Sequence, residues 1–145
     1  MEELFKHWHA SKVELNSPAN TQQIAAFENL NGVIFPEDFR TYLLLANGFS
    51  GGSTDQSMIS FWPLEDFKTI SRNSMETFIL FADFLIESHY YAIKLRSPEN
   101  AQLGSIWAIA GQHFAFVAKS FVDFIEVYLT PHKGEFGNPV LAVKW

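Results

Sequence analysis

The sequence predicts an α+β fold, an antiparallel β-sheet flanked by N-terminal helices and a C-terminal helix. Three observations lead there. Thr21–Gly52 carries apolar stripes at helical spacing, broken by Pro36 and by the stops Asn31-Gly32 and Asn47-Gly48. The middle of the chain changes to short runs at strand spacing, ending in two runs separated only by Gly111-Gln112. Ser120 then opens a last amphipathic helix. Helices at both ends of a block of strands segregate the two kinds of element.

Taken in order, Glu2–Ala10 reads as a short helix with Leu4, Phe5 and Trp8 inward, and Lys12–Ala19 as a connector closed by Ser17-Pro18. The next helix shows Ile24, Phe27 and Leu30 on one face. Pro36 suits the first position of the following helix, where its missing N–H costs nothing, and Glu37 and Asp38 complement the positive end of the dipole. Phe39, Tyr42, Leu43 and Ala46 form the stripe of that helix, with Gly48 as its left-handed stop. The link Val33-Ile34-Phe35 is too apolar for a solvated loop, so both helices are expected to pack on one sheet.

Phe49–Gln56 is a Gly/Ser/Asp loop. Ser57–Trp62 reads as a strand ended by Pro63, with Leu64–Ile70 expected as one helical turn beginning there. Phe78–Ala82 is an apolar run of strand length, and Tyr90–Leu95 alternates Tyr91, Ile93 and Leu95 against Tyr90, Ala92 and Lys94. Between them, Asp83–His89 is a loop or a widened hairpin. Ser97–Gln102 is a polar turn. Ser105–Ala110 and His113–Ala118 form a hairpin, because a glycine-first two-residue loop suits a type II′ turn. Ser120 caps the last helix, whose stripe is Phe121, Phe124, Ile125 and Tyr128. Val140–Val143 suggests a further edge strand.

The run Ile24…Phe27-Glu28…Leu30…Phe35-Pro36-Glu37-Asp38-Phe39-Arg40…Leu43…Asn47-Gly48 resembles the opening signature of the SUKH superfamily, named after the fungal Smi/Knr regulators of cell-wall glucan synthesis. Phe35 stands where that pattern has leucine. A second match is Val117-Ala118-Lys119-Ser120-Phe121-Val122-Asp123-Phe124, similar to the Ile-Ala-x-Ser-Phe-x-Glu-Phe segment of the family. Trp62-Pro63-Leu64-Glu65-Asp66-Phe67 also looks like the family's step from first strand to short helix. The resemblance implies a single Smi/Knr-like domain over residues 1–145 and a non-catalytic binding role, either as an immunity protein that neutralises a toxin or as a regulator acting through protein contacts.

Length and composition agree with one domain: 145 residues, 48% apolar, with 15 Phe and 4 Trp, suffice for one core. The absence of cysteine removes disulfides and thiolate metal sites and suits a reducing, cytoplasmic setting. The longest apolar stretch, Phe78–Ile86, is broken by Asp83 and too short to span a bilayer. A net charge of −6 argues against nucleic-acid binding, which needs a basic surface. Much of that charge is central: Thr41–Ile93 holds Asp55, Glu65, Asp66, Glu76, Asp83 and Glu87 against only Lys68 and Arg72. Such a surface keeps a protein soluble, and it also steers a basic partner.

Candidate chemistry is sparse. His7-Trp8-His9 would align two imidazoles on a strand, but on a helix they diverge by about 200°. Gly48-Phe49-Ser50-Gly51-Gly52 matches the nucleophile elbow Gly-x-Ser-x-Gly, yet a helix precedes it and a glycine loop follows, the reverse of the strand-to-helix context that motif needs. Glu65-Asp66 fits dipole complementation better than acid/base work, since neighbours on a helix point about 100° apart. No cofactor or metal set is expected. The leading expectation is therefore a basic protein partner, a toxin among the candidates, docking on Asp55, Glu65, Asp66, Asp83 and Glu87 with Trp62 as apolar anchor. The alternatives are an enzyme or small-molecule binder using a groove at His89 or His113, and a scaffold that uses an exposed apolar patch instead.

Overall fold

In the computed structural model, residues 1–130 and Trp145 are described; the expected edge strand at 140–143 lies outside them. The helices are α1 (Glu2–Ala10), α2 (Thr21–Asn31), α3 (Glu37–Leu45) and α4 (Phe121–Leu129). The strands are β1 (Ile59–Phe61), β2 (Lys68–Arg72), β3 (Glu76–Phe84), β4 (His89–Arg96), β5 (Ile106–Ala110) and β6 (His113–Ala118). All pair antiparallel in the order β1-β3-β4-β5-β6, and β2 also pairs with β3.

One edge of the sheet is thus made of two pieces. β1 pairs with Ala82–Phe84 and β2 with Glu76–Leu80, so the edge is broken opposite Phe81. Pro63, which has no N–H for the ladder, stands at that break and leads into a 3-10 turn, Leu64–Asp66. Trp62 keeps the pieces in register by donating its N–H to the Phe81 carbonyl at 2.8 Å, and β3 answers with a register shift between Leu80 and Ala82. The expectation that Leu64–Ile70 forms a helical turn holds for Leu64–Asp66 only. Beyond them the chain is strand β2, whose mostly exposed side chains hid it from an apolar pattern.

One face of the sheet meets the helices through aromatic rings. Phe39 of α3 touches Phe81 and Phe121, with centroids 5.4 and 4.8 Å apart. Phe124 of α4 reaches Phe61, Phe81 and Tyr91, and Trp8 of α1 packs edge-on against Phe49 and Phe61. The other face carries Phe78, Trp107 and Phe114 around a charged cluster. There the buried Lys94 ammonium pairs with Glu76 at 2.9 Å, Arg72 pairs with the same carboxylate at 2.6 Å, and both cations lie over the Trp107 ring.

The sequence signature of α2 and α3 is a set of clips. Asn20 and Gln23 form a reciprocal capping box, and Gly32 ends α2 in the left-handed conformation. Glu28 accepts from the Phe35 N–H and from Arg40, each at 2.7 Å, which fixes α3 against α2. Asp38 accepts the Val122 N–H at 3.1 Å and so helps Ser120, bonded to the Asp123 N–H, to seat the start of α4. Three expectations need correction. Pro36 is the residue before the helix, with φ −60° but an extended ψ of 157°, so α3 begins at Glu37. Leu30 is solvent-exposed because six residues after Ile24 is about 240° round the helix, off the stripe. Gly48 does not stop α3, which already ends at Leu45 with Ala46 extended.

Candidate functional site

Gly48 instead sets the position of the site. Its φ is +73°, and a Cβ built there would lie 2.3 Å from the Trp62 carbonyl carbon and 2.5 Å from Pro63 N. Only glycine lets the strand-like segment after α3 lie flat on the Trp62-Pro63 peptide. Around this contact, Asn47 accepts the Leu64 N–H at 2.7 Å, Phe49 donates to the Phe61 carbonyl at 2.7 Å, and Asn16 donates to the Asn47 and Phe49 carbonyls. The glycine loop after α3 is thereby held beside the break in the sheet edge.

Between that loop, the 3-10 turn and the β3–β4 turn lies a cleft of about 560 Å³. Phe49, Phe61 and Trp62 supply its aromatic floor, Gly51 and Gly52 one open wall, and Glu65, Asp66, Asp83 and Glu87 its carboxylates, with Lys68 as the cation among the lining residues. Glu65 and Asp66 are exposed on the rim. Asp83 is buried at the base, where its carboxylate accepts the Trp62 indole N–H at 2.8 Å. Burial pushes its pKa above the ordinary value, an effect opposed by the indole and by the Glu87 backbone N–H. Glu87 comes from a turn in which Leu85, Ile86 and Glu87 all have positive φ, 50°, 51° and 67°. For a β-branched residue such as Ile86 that is an outlying conformation, and it sets Ile86 and Glu87 at the mouth of the cleft.

Of the residues singled out from the sequence, Trp62, Glu65, Asp66, Asp83 and Glu87 thus line one cleft, although they span more than twenty positions of sequence. Asp55 does not join them. It lies buried in the loop before β1, accepting the Ser57 and Ile59 N–H groups at 2.8 and 3.0 Å and the Tyr128 hydroxyl, which itself accepts from the Trp8 indole. Its pKa is raised by desolvation, and its work is to tie the loop to α1 and α4. The expected exposed charge at Asp55 is therefore an internal one, since its carboxylate is turned inward onto these three donors.

The remaining candidates sit elsewhere. His89 is buried beside Phe84, with its Nε2 3.0 Å from the Tyr91 hydroxyl, and burial lowers its pKa. His113 is exposed at the start of β6. Neither lines the cleft. Ser50 belongs to a 3-10 turn, Ser50–Gly52, and its N–H donates to the Glu14 carbonyl, so the Gly-x-Ser-x-Gly pattern forms no elbow. His7 packs edge-on against Tyr128 while His9 is exposed, so the two diverge as on any helix. A second hollow, about 840 Å³, lies between α1 and α4 and is lined by Leu4, His7, Val122, Ile125 and Leu129 with charges of mixed sign. Among the described residues, no helix is long and apolar enough to cross a membrane.

Sequence reasoning missed Lys68, read as part of a helical turn, and the loop glycines, read only as turn formers. The β-branched pair Thr69-Ile70, followed by the turn residues Asn73-Ser74, was the available signal for the strand that places Lys68. Residues 18–127 match the family model described as SMI1 / KNR4 family (SUKH-1). No curated protein matches the chain.

Proposed function

The chain belongs to the SMI1 / KNR4 family (SUKH-1), and from that premise we propose that it is a non-catalytic protein-binding module of the immunity or regulator type, which receives a basic partner in the cleft beside Trp62. The observation that carries this reading is the convergence of Glu65, Asp66, Asp83 and Glu87 on one concave surface with an aromatic floor. Carboxylates so gathered concentrate negative potential, speed encounter with a basic surface and reject acidic ones. A buried tryptophan ringed by polar rim residues is the usual composition of a contact anchor. A basic toxin is a partner of the required chemistry, and a cytoplasmic setting fits a cysteine-free chain.

The experiment is capture of partner proteins by wild type and by a Glu65→Lys/Asp66→Lys variant at low and high salt. Both positions are exposed, so the variant keeps the fold. A basic protein held by wild type at low salt, released at high salt and not held by the variant is the expected result. A partner bound equally by both proteins, with no salt dependence, removes the reading.

A further inference from the structure

The cleft already contains a cation. Lys68, the first residue of β2, places its ammonium 5.4 Å from the centroid of the Trp62 ring and 3.7 Å from a Glu87 carboxylate oxygen. Two features mark this as a loosely held occupant. The Lys68 to Glu87 distance exceeds that of a charge-assisted hydrogen bond, and both side chains remain more than half exposed, at 60% and 51%. The receptor around it is better built than the occupant. Trp62 is held by its indole bond to Asp83 and packs edge-on against Tyr90 at 5.7 Å, so the ring face is fixed before any ligand arrives. Donation of the indole N–H to a carboxylate also enriches the ring in electron density, which favours a cation over its face.

We propose that the cleft is a receptor for an arginine side chain of the partner protein, and that Lys68 is an internal stand-in which that arginine displaces. The proposal rests on the reading that a basic partner docks here and names the group it presents. A guanidinium suits the site better than the ammonium now in it. It is planar and weakly hydrated, so it stacks on the indole, and its fork of donors engages Glu87 and a rim carboxylate together, which a point charge does not do. The open wall at Gly51 and Gly52, where a Cβ would meet nothing within 4 Å, leaves room for the backbone that carries the arginine. Lys68 then sets the threshold for binding: a partner must supply a cation that competes with one already present.

The test is a titration of the full chain with a blocked Gly-Arg-Gly peptide, following the indole N–H resonance of Trp62, which is assigned with Trp62→Phe. The same peptide with citrulline in place of arginine is the uncharged control. Lys68→Met is expected to bind the arginine peptide at least about 5-fold more tightly than wild type. Lys119→Met, an equal charge change at an exposed residue outside the cleft, is expected to match wild type. Citrulline binding as well as arginine, or Lys68→Met binding no more tightly than Lys119→Met, overturns the proposal. Should the arginine proposal fail in this way while a captured partner still depends on Glu65 and Asp66, docking in the cleft stands and only its ligand is wrong; indifference of the partner to Glu65 and Asp66 overturns docking itself.

Discussion

Replacing Gly48 by alanine tests how the site is held, and its cost follows from two separate quantities. An L residue at a φ of +73° costs roughly 1–2 kcal/mol. The added methyl also falls 2.3 Å from the Trp62 carbonyl carbon and 2.5 Å from Pro63 N and the Trp62 oxygen. These are backbone atoms that cannot swing aside, so the loop after α3 must lift from the sheet edge. Lifting it breaks the bond from Phe49 to Phe61 and the bond from Leu64 to Asn47, each now 2.7 Å and each worth about 1 kcal/mol. The total is about 3–4 kcal/mol, a large share of the roughly 5–15 kcal/mol that holds a domain together. Gly51 supplies the control, because its φ is also positive, +62°, but a Cβ there meets nothing within 4 Å. Gly51→Ala is expected to lose about 1 kcal/mol. Urea unfolding followed by far-ultraviolet circular dichroism measures both. Equal losses in the two variants would refute the claim that close approach to Trp62-Pro63, beyond backbone conformation, fixes Gly48.

Two further predictions concern the charged and polar groups of the core. Hydrogen bonds from Arg72, then from Lys94, hold the Glu76 pKa down at about 2 from an ordinary 4.5. A carboxylate depressed on folding adds stability above its unfolded value and loses it as pH falls toward the folded one. Glu76→Gln is therefore expected to cost about 2 kcal/mol at pH 7, with the difference from wild type shrinking between about pH 4.5 and 2; a difference that persists unchanged at pH 2.5 contradicts the linkage. Tyr42 and Tyr128 should respond to very different extents to loss of their hydroxyls. The Tyr42 hydroxyl is buried and the Gly48 N–H approaches it without forming a well-made hydrogen bond, so Tyr42→Phe changes stability by less than about 1 kcal/mol. Tyr128→Phe removes the donor to buried Asp55 and the acceptor of the Trp8 indole and should cost about 2–3 kcal/mol; thermal unfolding of the two variants side by side checks the order.

The elements most legible in the sequence are those whose local chemistry and packing agree. The stripe Phe39, Tyr42 and Leu43, the hairpin at Gly111-Gln112 and the Ser120 cap all fall where spacing and turn chemistry put them. What hid β2 is its place at the sheet edge, where side chains face water and the apolar pattern fades. The carboxylates of the cleft were legible as charges in one segment, but their convergence was not. It depends on the break at Pro63 and on the left-handed turn at Leu85–Glu87, neither of which hydrophobic spacing encodes. Asp55 was misplaced for the opposite reason. An aspartate in a glycine-rich loop looks solvated, and only the long-range partners Tyr128 and Trp8 explain its burial.

Amide hydrogen exchange of the chain alone and with a captured basic partner tests the location of docking most directly. Protection is expected to rise at residues 49–54, 62–68 and 83–88, the three segments that wall the cleft, and to stay unchanged on α2. Protection confined to α2 or to the hollow between α1 and α4, with those three segments exchanging as before, would contradict it.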